Sequence, residues 1–197
     1  MKSSVLLEYS NFSASEIRDK LTKISRVPVQ EINVLTAAVL IPLFRKRNQW
    51  HVLFIHRSHW VNNHKDQVSF PGGMVEQGDK EVLDTALRET REELGIPPQQ
   101  VQVLGQLHPM VFRNEYKIFP IVGQIPWPIE LTLSPLEVSH IFSVPFNWLA
   151  NPGHYSRKEY KSPEGEKRQV YFYNKYRDEL LWGISAFITI DLVDKLK

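Results

Sequence analysis

The stretch GGMVEQGDKEVLDTALRETREELGI, from Gly72 to Ile96, decides how the rest of the chain is read. Leu83, Ala86, Leu87, Thr90 and Leu94 fall on one side at about 100° per residue, which predicts a helix over Lys80–Leu94. Gly95 suits the position just past its last turn, and Pro97-Pro98 prevents continuation. Glu89, Glu92 and Glu93 stand three and four residues apart, so they share one flank, expected beside the apolar stripe rather than within it. Carboxylates on neighbouring turns repel, each like-charge pair costing up to about 0.5 kcal/mol, and a bound divalent cation converts that cost into binding energy. Clustered hard oxygens suit Mg²⁺ or Mn²⁺. A solvated acidic face, with Arg88 and Arg91 in exposed ion pairs of little value, is the alternative for the helix taken alone. The preceding Ser69-Phe70-Pro71-Gly72-Gly73 favours the cation: glycines stand where backbone must come close to a ligand, just ahead of the acids.

Around this segment, 197 residues suffice for one domain with a sizeable core. A net charge of +2 is too mild to argue for nucleic acid as partner, although a locally basic pocket for an anion is compatible with it. With no cysteine, disulfides and thiolate metal sites are excluded, and any metal must sit on oxygen or imidazole. The apolar run Val5-Leu6-Leu7 is too short for a signal peptide, and no segment reaches transmembrane length. The expectation is a cytoplasmic enzyme acting on a small molecule, without a membrane or nucleic-acid partner, as monomer or homodimer.

Ser13–Ser25 reads as a short amphipathic helix capped by Ser13 or Ser15, with Ile17, Leu21 and Ile24 on one stripe and Pro28 beyond it. Thr36–Phe44 and Trp50–His56 read as strands of a hairpin joined by the polar loop Arg45–Gln49. Val68-Ser69-Phe70 looks extended. Further strands are expected at Val101–Leu107, Ile118–Gly123, Val138–Val144 and Val170–Tyr173, an exposed excursion at Tyr155–Gly165, and a last helix at Ile184–Leu196. Phe70 and Trp182 read as core rather than as substrate platforms. Strands mixed with helices and hairpins indicate a single α+β or mixed α/β domain.

These residues resemble a known family. The Nudix box is a glycine, five residues, Glu, seven residues, then Arg-Glu-apolar-x-Glu-Glu-x-Gly-apolar; here Arg88, Glu89, Glu92, Glu93, Gly95 and Ile96 fall on it. Asp79 takes the place of the early Glu, with eight residues before Arg88, and Thr90 replaces the aliphatic residue. The longer spacing and Thr85-Ala86-Leu87-Arg88-Glu89 are similar to the coenzyme A pyrophosphatase branch. So are Leu53-Phe54-Ile55-His56-Arg57-Ser58 and His64-Lys65-Asp66-Gln67-Val68-Ser69-Phe70-Pro71-Gly72-Gly73, in which Asp66 stands for a common glycine. Leu136-Glu137-Val138 with Phe142–Phe146, and Leu181–Ala186, resemble later family segments.

The resemblance implies an α+β fold, an α/β/α sandwich whose mixed sheet is flanked by helices, over residues 36–197, with 1–35 as a helical extension. It implies a Mg²⁺- or Mn²⁺-dependent pyrophosphatase opening a nucleoside diphosphate derivative, coenzyme A or acyl-CoA first among them. ADP-ribose or a dinucleotide is the alternative substrate, and a non-catalytic nucleotide-binding module the alternative role. Glu89, Glu93 and Glu92, with the Gly72 carbonyl, are the expected metal ligands, and Asp79 the partner of Arg88. Glu89, Glu92 and Glu137 all stand as candidates for the general base. Arg57 suits phosphate through two parallel hydrogen bonds, and His64, Lys65 and Gly73 are further substrate contacts.

Overall fold

The framework grows from one hairpin. In the computed structural model, which describes residues 12–22, 35–60, 65–112, 116–161, 165 and 167–197, β1 (Leu35–Lys46) and β2 (Gln49–Arg57) run antiparallel. Arg47 and Asn48 form the turn, both at positive φ (52° and 60°), the pairing that matches the twist of the strands. The expected five-residue loop is therefore shorter than its polarity suggested. Arg45 and Lys46 continue the strand because their cations lie over the rings of Trp50 and Trp127, 5.1 and 5.9 Å from the centroids.

β1 also runs parallel to β7 (Tyr116–Gln124), which pairs in turn with β5 (Gln102–Gln106) and β6 (Met110–Phe112). β8 (Val138–Pro145) pairs with the other side of β2. Where β1 and β2 diverge, β3 (Val68–Ser69) pairs with β2 and β4 (Gly72–Met74) with β1. The short β4 and β6 carry no periodicity of their own that would announce them in the sequence.

Side-chain alternation sorts the sheet into two buried layers. Ala38, Leu40, Leu53 and Ile55 face Val82, Ala86 and Leu94 of α2 (Val82–Leu94). Ile41, Leu43, Val52 and Phe54 face the opposite layer, which holds Ile17 of α1 (Ala14–Lys20) and Ile188 and Leu192 of α4 (Gly183–Leu196), a four-residue α3 (Phe146–Leu149) lying before it in the chain. This is an α+β sandwich with a mixed sheet between helices. Coverage on both faces explains why the strands read as unbroken apolar runs.

α1 is held by a reciprocal cap, Glu16 N–H donating to Ser13 Oγ (3.2 Å) and Ser13 N–H to Glu16 Oε2 (2.7 Å). It stops at Lys20, earlier than expected, because Thr22 bridges to Gln106 at the sheet edge (Gln106 N–H to Thr22 O, 3.1 Å). Ile24, Ser25 and Pro28 lie outside the described residues. α2 begins two residues after Lys80, because Asp84 Oδ2 already accepts the amides of Lys80 and Glu81, each at 3.0 Å.

The expected excursion at Tyr155–Gly165 is corrected by the structure: β9 (Tyr155–Lys161) pairs with β10 (Lys167–Tyr173) in a separate antiparallel ribbon. Its polar residues face outward, while Tyr155 packs on its partner Tyr173 (5.2 Å) and Tyr160 on Trp182 (5.3 Å). Aromatic cross-strand contacts supply what the charged composition concealed. Phe70 is buried, and Trp182, half-buried, stacks on Phe172 at 5.5 Å. Among the described residues no helix is long and apolar enough to cross a membrane.

Candidate active site

The buried face of α2 follows Val82, Thr85, Ala86, Thr90, Glu93 and Leu94. Glu93 therefore lies within the stripe, a correction to its expected place beside it, and its side chain is only 2% exposed. Thr90 fits the same face because its hydroxyl donates to Ala86 O at 2.7 Å, leaving its methyl to pack.

A buried carboxylate needs partners. Glu93 Oε2 accepts the Gly72 amide at 3.0 Å, and Oε1 lies 3.4 Å from Arg57 Nη1. Burial nevertheless dominates and pushes the Glu93 carboxyl up to about 8; Arg57 and the Gly72 amide pull it down, while Glu89 and Glu137 push it further up. Glu89 is also raised, first by burial and then by Glu92 and Glu137, against the pull of Arg88. Among the described residues the site thus gathers acids that resist ionising side by side. Glu137 reaches it because the loop before β8 is tied to α2: Thr132 and Ser134 amides donate to Leu94 and Glu93 carbonyls, each at 3.0 Å, and Ser58 N–H donates to Glu137 O at 2.8 Å.

Gly72 and Gly73 are required by space. Gly72 sits at φ 154°, and a Cβ there would come closer than 3.0 Å to the Ala38 carbonyl oxygen and Val39 Cα. A Cβ on Gly73 would overlap the Glu89 carboxylate. Only bare backbone lets β4 lie directly on the acids.

Arg88 organises the other side. Its Nε and Nη2 donate to Asp79 Oδ1 and Oδ2, both at 3.1 Å, as a two-pronged fork. Nη1 donates to Glu89 (2.9 Å) and Glu92 (3.0 Å), and Nη2 also to Met74 O (3.0 Å). Asp79 additionally accepts from Thr85 Oγ1 at 2.8 Å and the Glu76 amide at 3.0 Å. Burial opposes ionisation of Asp79, but these hydrogen bonds outweigh it and hold its carboxyl below the ordinary value. The Arg88 guanidinium is raised in turn, chiefly by Asp79. The extra residue between Asp79 and Arg88 is therefore absorbed without losing their contact. Thr85 and Met74 O carry no signal of these roles in the sequence, since neither differs in type from an ordinary helix or loop group.

Glu92 is exposed at 45%, on the rim. Arg57, half-buried, points to Glu93 across the site, and its Nε is buried without a hydrogen-bond partner among the described residues. Lys65 is exposed in the turn before β3, and His64 lies outside the described residues. Asp66 in that turn adopts φ 53°, the left-handed region that glycine enters most easily and aspartate tolerates. Asp66→Gly is accordingly expected to stabilise the fold by about 1 kcal/mol, read as a shift of the urea midpoint; an unchanged midpoint would remove the strain argument.

The donors suit a hard divalent ion: carboxylate oxygens, two of them destabilised as bare anions by burial, gathered on a glycine backbone with no soft ligand among them.

The NUDIX domain family model matches residues 34–170. The uncharacterized Nudix hydrolase NudL of Photorhabdus laumondii is 40% identical over 161 residues, covering 82% of this chain and 84% of that protein. The protein of the same name from Escherichia fergusonii is 33% identical over 188 residues, covering 94% and 96%. The crystal structure of a MutT/nudix family protein from Enterococcus faecalis superposes with a TM-score of 0.58 at 17% identity, over 87% of this chain and 65% of that one, a likeness of fold. With its domain model and its relatives in agreement, this chain belongs to the Nudix hydrolase family.

Proposed function

We propose that the chain hydrolyses the phosphoanhydride bond of coenzyme A or an acyl-CoA, adding water to give 4′-phosphopantetheine (acylated when the substrate is) and adenosine 3′,5′-bisphosphate. The observation that carries hydrolysis is the buried Glu93 beside Glu89, Glu137 and the Gly72-Gly73 backbone, an anionic cluster costly to hold without a cation. Coenzyme A specificity is supported by the lengthened box, closed by the Asp79–Arg88 fork, together with the Arg57-Ser58 and Gln67–Gly73 motifs.

Glu89, Glu93 and Glu92, with the Gly72 carbonyl, would hold Mg²⁺ or Mn²⁺. When bound, the ion neutralises phosphate charge and makes water more acidic. Arg88 keeps Glu89 and Glu92 in place, Asp79 keeps Arg88 in place, and Arg57 offers its guanidinium to a substrate phosphate beside Glu93. Glu137 takes the proton from the attacking water, since Glu89 and Glu92 are engaged by Arg88. His64, Lys65 and Gly73 border the substrate. Residues 36–197 would form the catalytic domain, against which α1 of the 1–35 extension packs through Ile17.

A Mg²⁺-dependent panel of coenzyme A, acetyl-CoA, ADP-ribose and NADH, with products identified by mass, tests the reading. The two named products from coenzyme A are expected. Cleavage of ADP-ribose with coenzyme A untouched would overturn the specificity, and no cleavage of any of them the hydrolase reading as a whole.

A further inference from the structure

On the sheet face away from α2 lies a group that the hydrolytic site does not use. His56 of β2 and His140 of β8 are direct cross-strand partners, their rings stacked at 4.6 Å between centroids and 23° between planes. Glu179 spans them from the loop after β10, with Oε2 2.9 Å from His56 Nδ1 and Oε1 2.6 Å from His140 Nε2. The loop is itself closed, Tyr176 and Glu179 exchanging both backbone hydrogen bonds at 3.0 and 3.2 Å. One potential ligand atom from each residue lies within 4.8 Å of the others. The Phe54–Phe142 pair, two residues along on each strand, forms an apolar floor at 5.5 Å between centroids.

We propose that His56, His140 and Glu179 bind a divalent transition ion of the Zn²⁺ class, at a site separate from the carboxylate cluster. Two imidazoles and one carboxylate are a zinc donor set with a position left open, and Mg²⁺, which favours oxygen, competes poorly for it. His140 is 47% exposed and Glu179 only 16%, so the group has a solvent entrance and a fixed carboxylate. Alternation along β2 keeps the two sites apart: Arg57, the next residue, pairs with Glu93 on the opposite face. The ion takes the place of the hydrogen bonds between Glu179 and the two imidazoles, and fastens the 176–179 turn to the β2–β8 edge.

The full chain is titrated with Zn²⁺, and separately with Co²⁺, in excess Mg²⁺. One ion per chain is expected, with imidazole-type Co²⁺ absorption and a higher unfolding midpoint. His140→Ala and the near-isosteric Glu179→Gln should each weaken binding by about 100-fold, while Glu93→Gln leaves it unchanged. Failure of the wild type to bind, affinity retained in both ligand variants, or affinity lost in Glu93→Gln would each overturn the proposal, and the last would assign the ion to the carboxylate cluster.

Discussion

Glu93→Gln is expected to lower Mg²⁺-dependent turnover by about 10³-fold or more with the fold retained. Glutamine keeps the volume of a side chain that is 2% exposed, and its amide oxygen can still accept the Gly72 N–H. What disappears is the capacity to ionise against a bound cation beside Glu89 and Arg57. A second readout separates site from scaffold. Burial raises the Glu93 carboxyl to about 8, so the folded metal-free chain holds this proton more tightly than the unfolded chain. Its contribution is complete below the unfolded value and is lost as pH rises to about 8. In EDTA, the wild-type melting midpoint should therefore carry a downward component across that window, absent from Glu93→Gln. Wild-type turnover in the variant would remove Glu93 from the reaction, and identical pH slopes would remove the burial argument.

Arg88→Ala carries the largest expected effect on stability, a loss of about 3 kcal/mol with turnover falling as well. The guanidinium fills both oxygens of Asp79, whose side chain is 5% exposed, and truncation leaves that carboxylate ionised, enclosed and short of its main partner. Glu89 and Glu92 lose their shared donor at the same stroke. Arg88→Lys should recover only part of the loss, because an ammonium cannot make the fork. Urea unfolding at constant slope measures this, and a loss below about 1 kcal/mol would show the clamp to be ornamental to stability.

Much of the candidate site was legible because it is local. Glu89, Glu92 and Glu93 are neighbours on a helix by spacing alone, and Asp79 could be matched with Arg88 despite the extra residue. The paired glycines announced a close backbone approach, which the collision of a Gly73 Cβ with Glu89 now explains. Less legible are the places where a residue's environment comes from elsewhere in the chain. The basic residues Arg45 and Lys46 read as loop because Trp50 and Trp127 were not visibly beneath them. Tyr155–Lys161 read as an excursion because its pairing with β10 depends on aromatic contacts across the ribbon.

The sequence by itself determined the α2 helix, the identity and mutual spacing of its acids, the absence of thiolate chemistry and the Nudix resemblance, since each depends on residue type and helical period. Tertiary structure decided which acid is buried. Glu93 sits on the apolar stripe at a cost that Gly72 from β4 and Arg57 from β2 offset, and a helical pattern cannot announce partners carried by strands. It also brought Glu137 to the cluster through the loop bonded to the end of α2, and closed Glu179 on His56 across 123 residues of chain. Such meetings follow from strand register and layer order, which long-range packing sets.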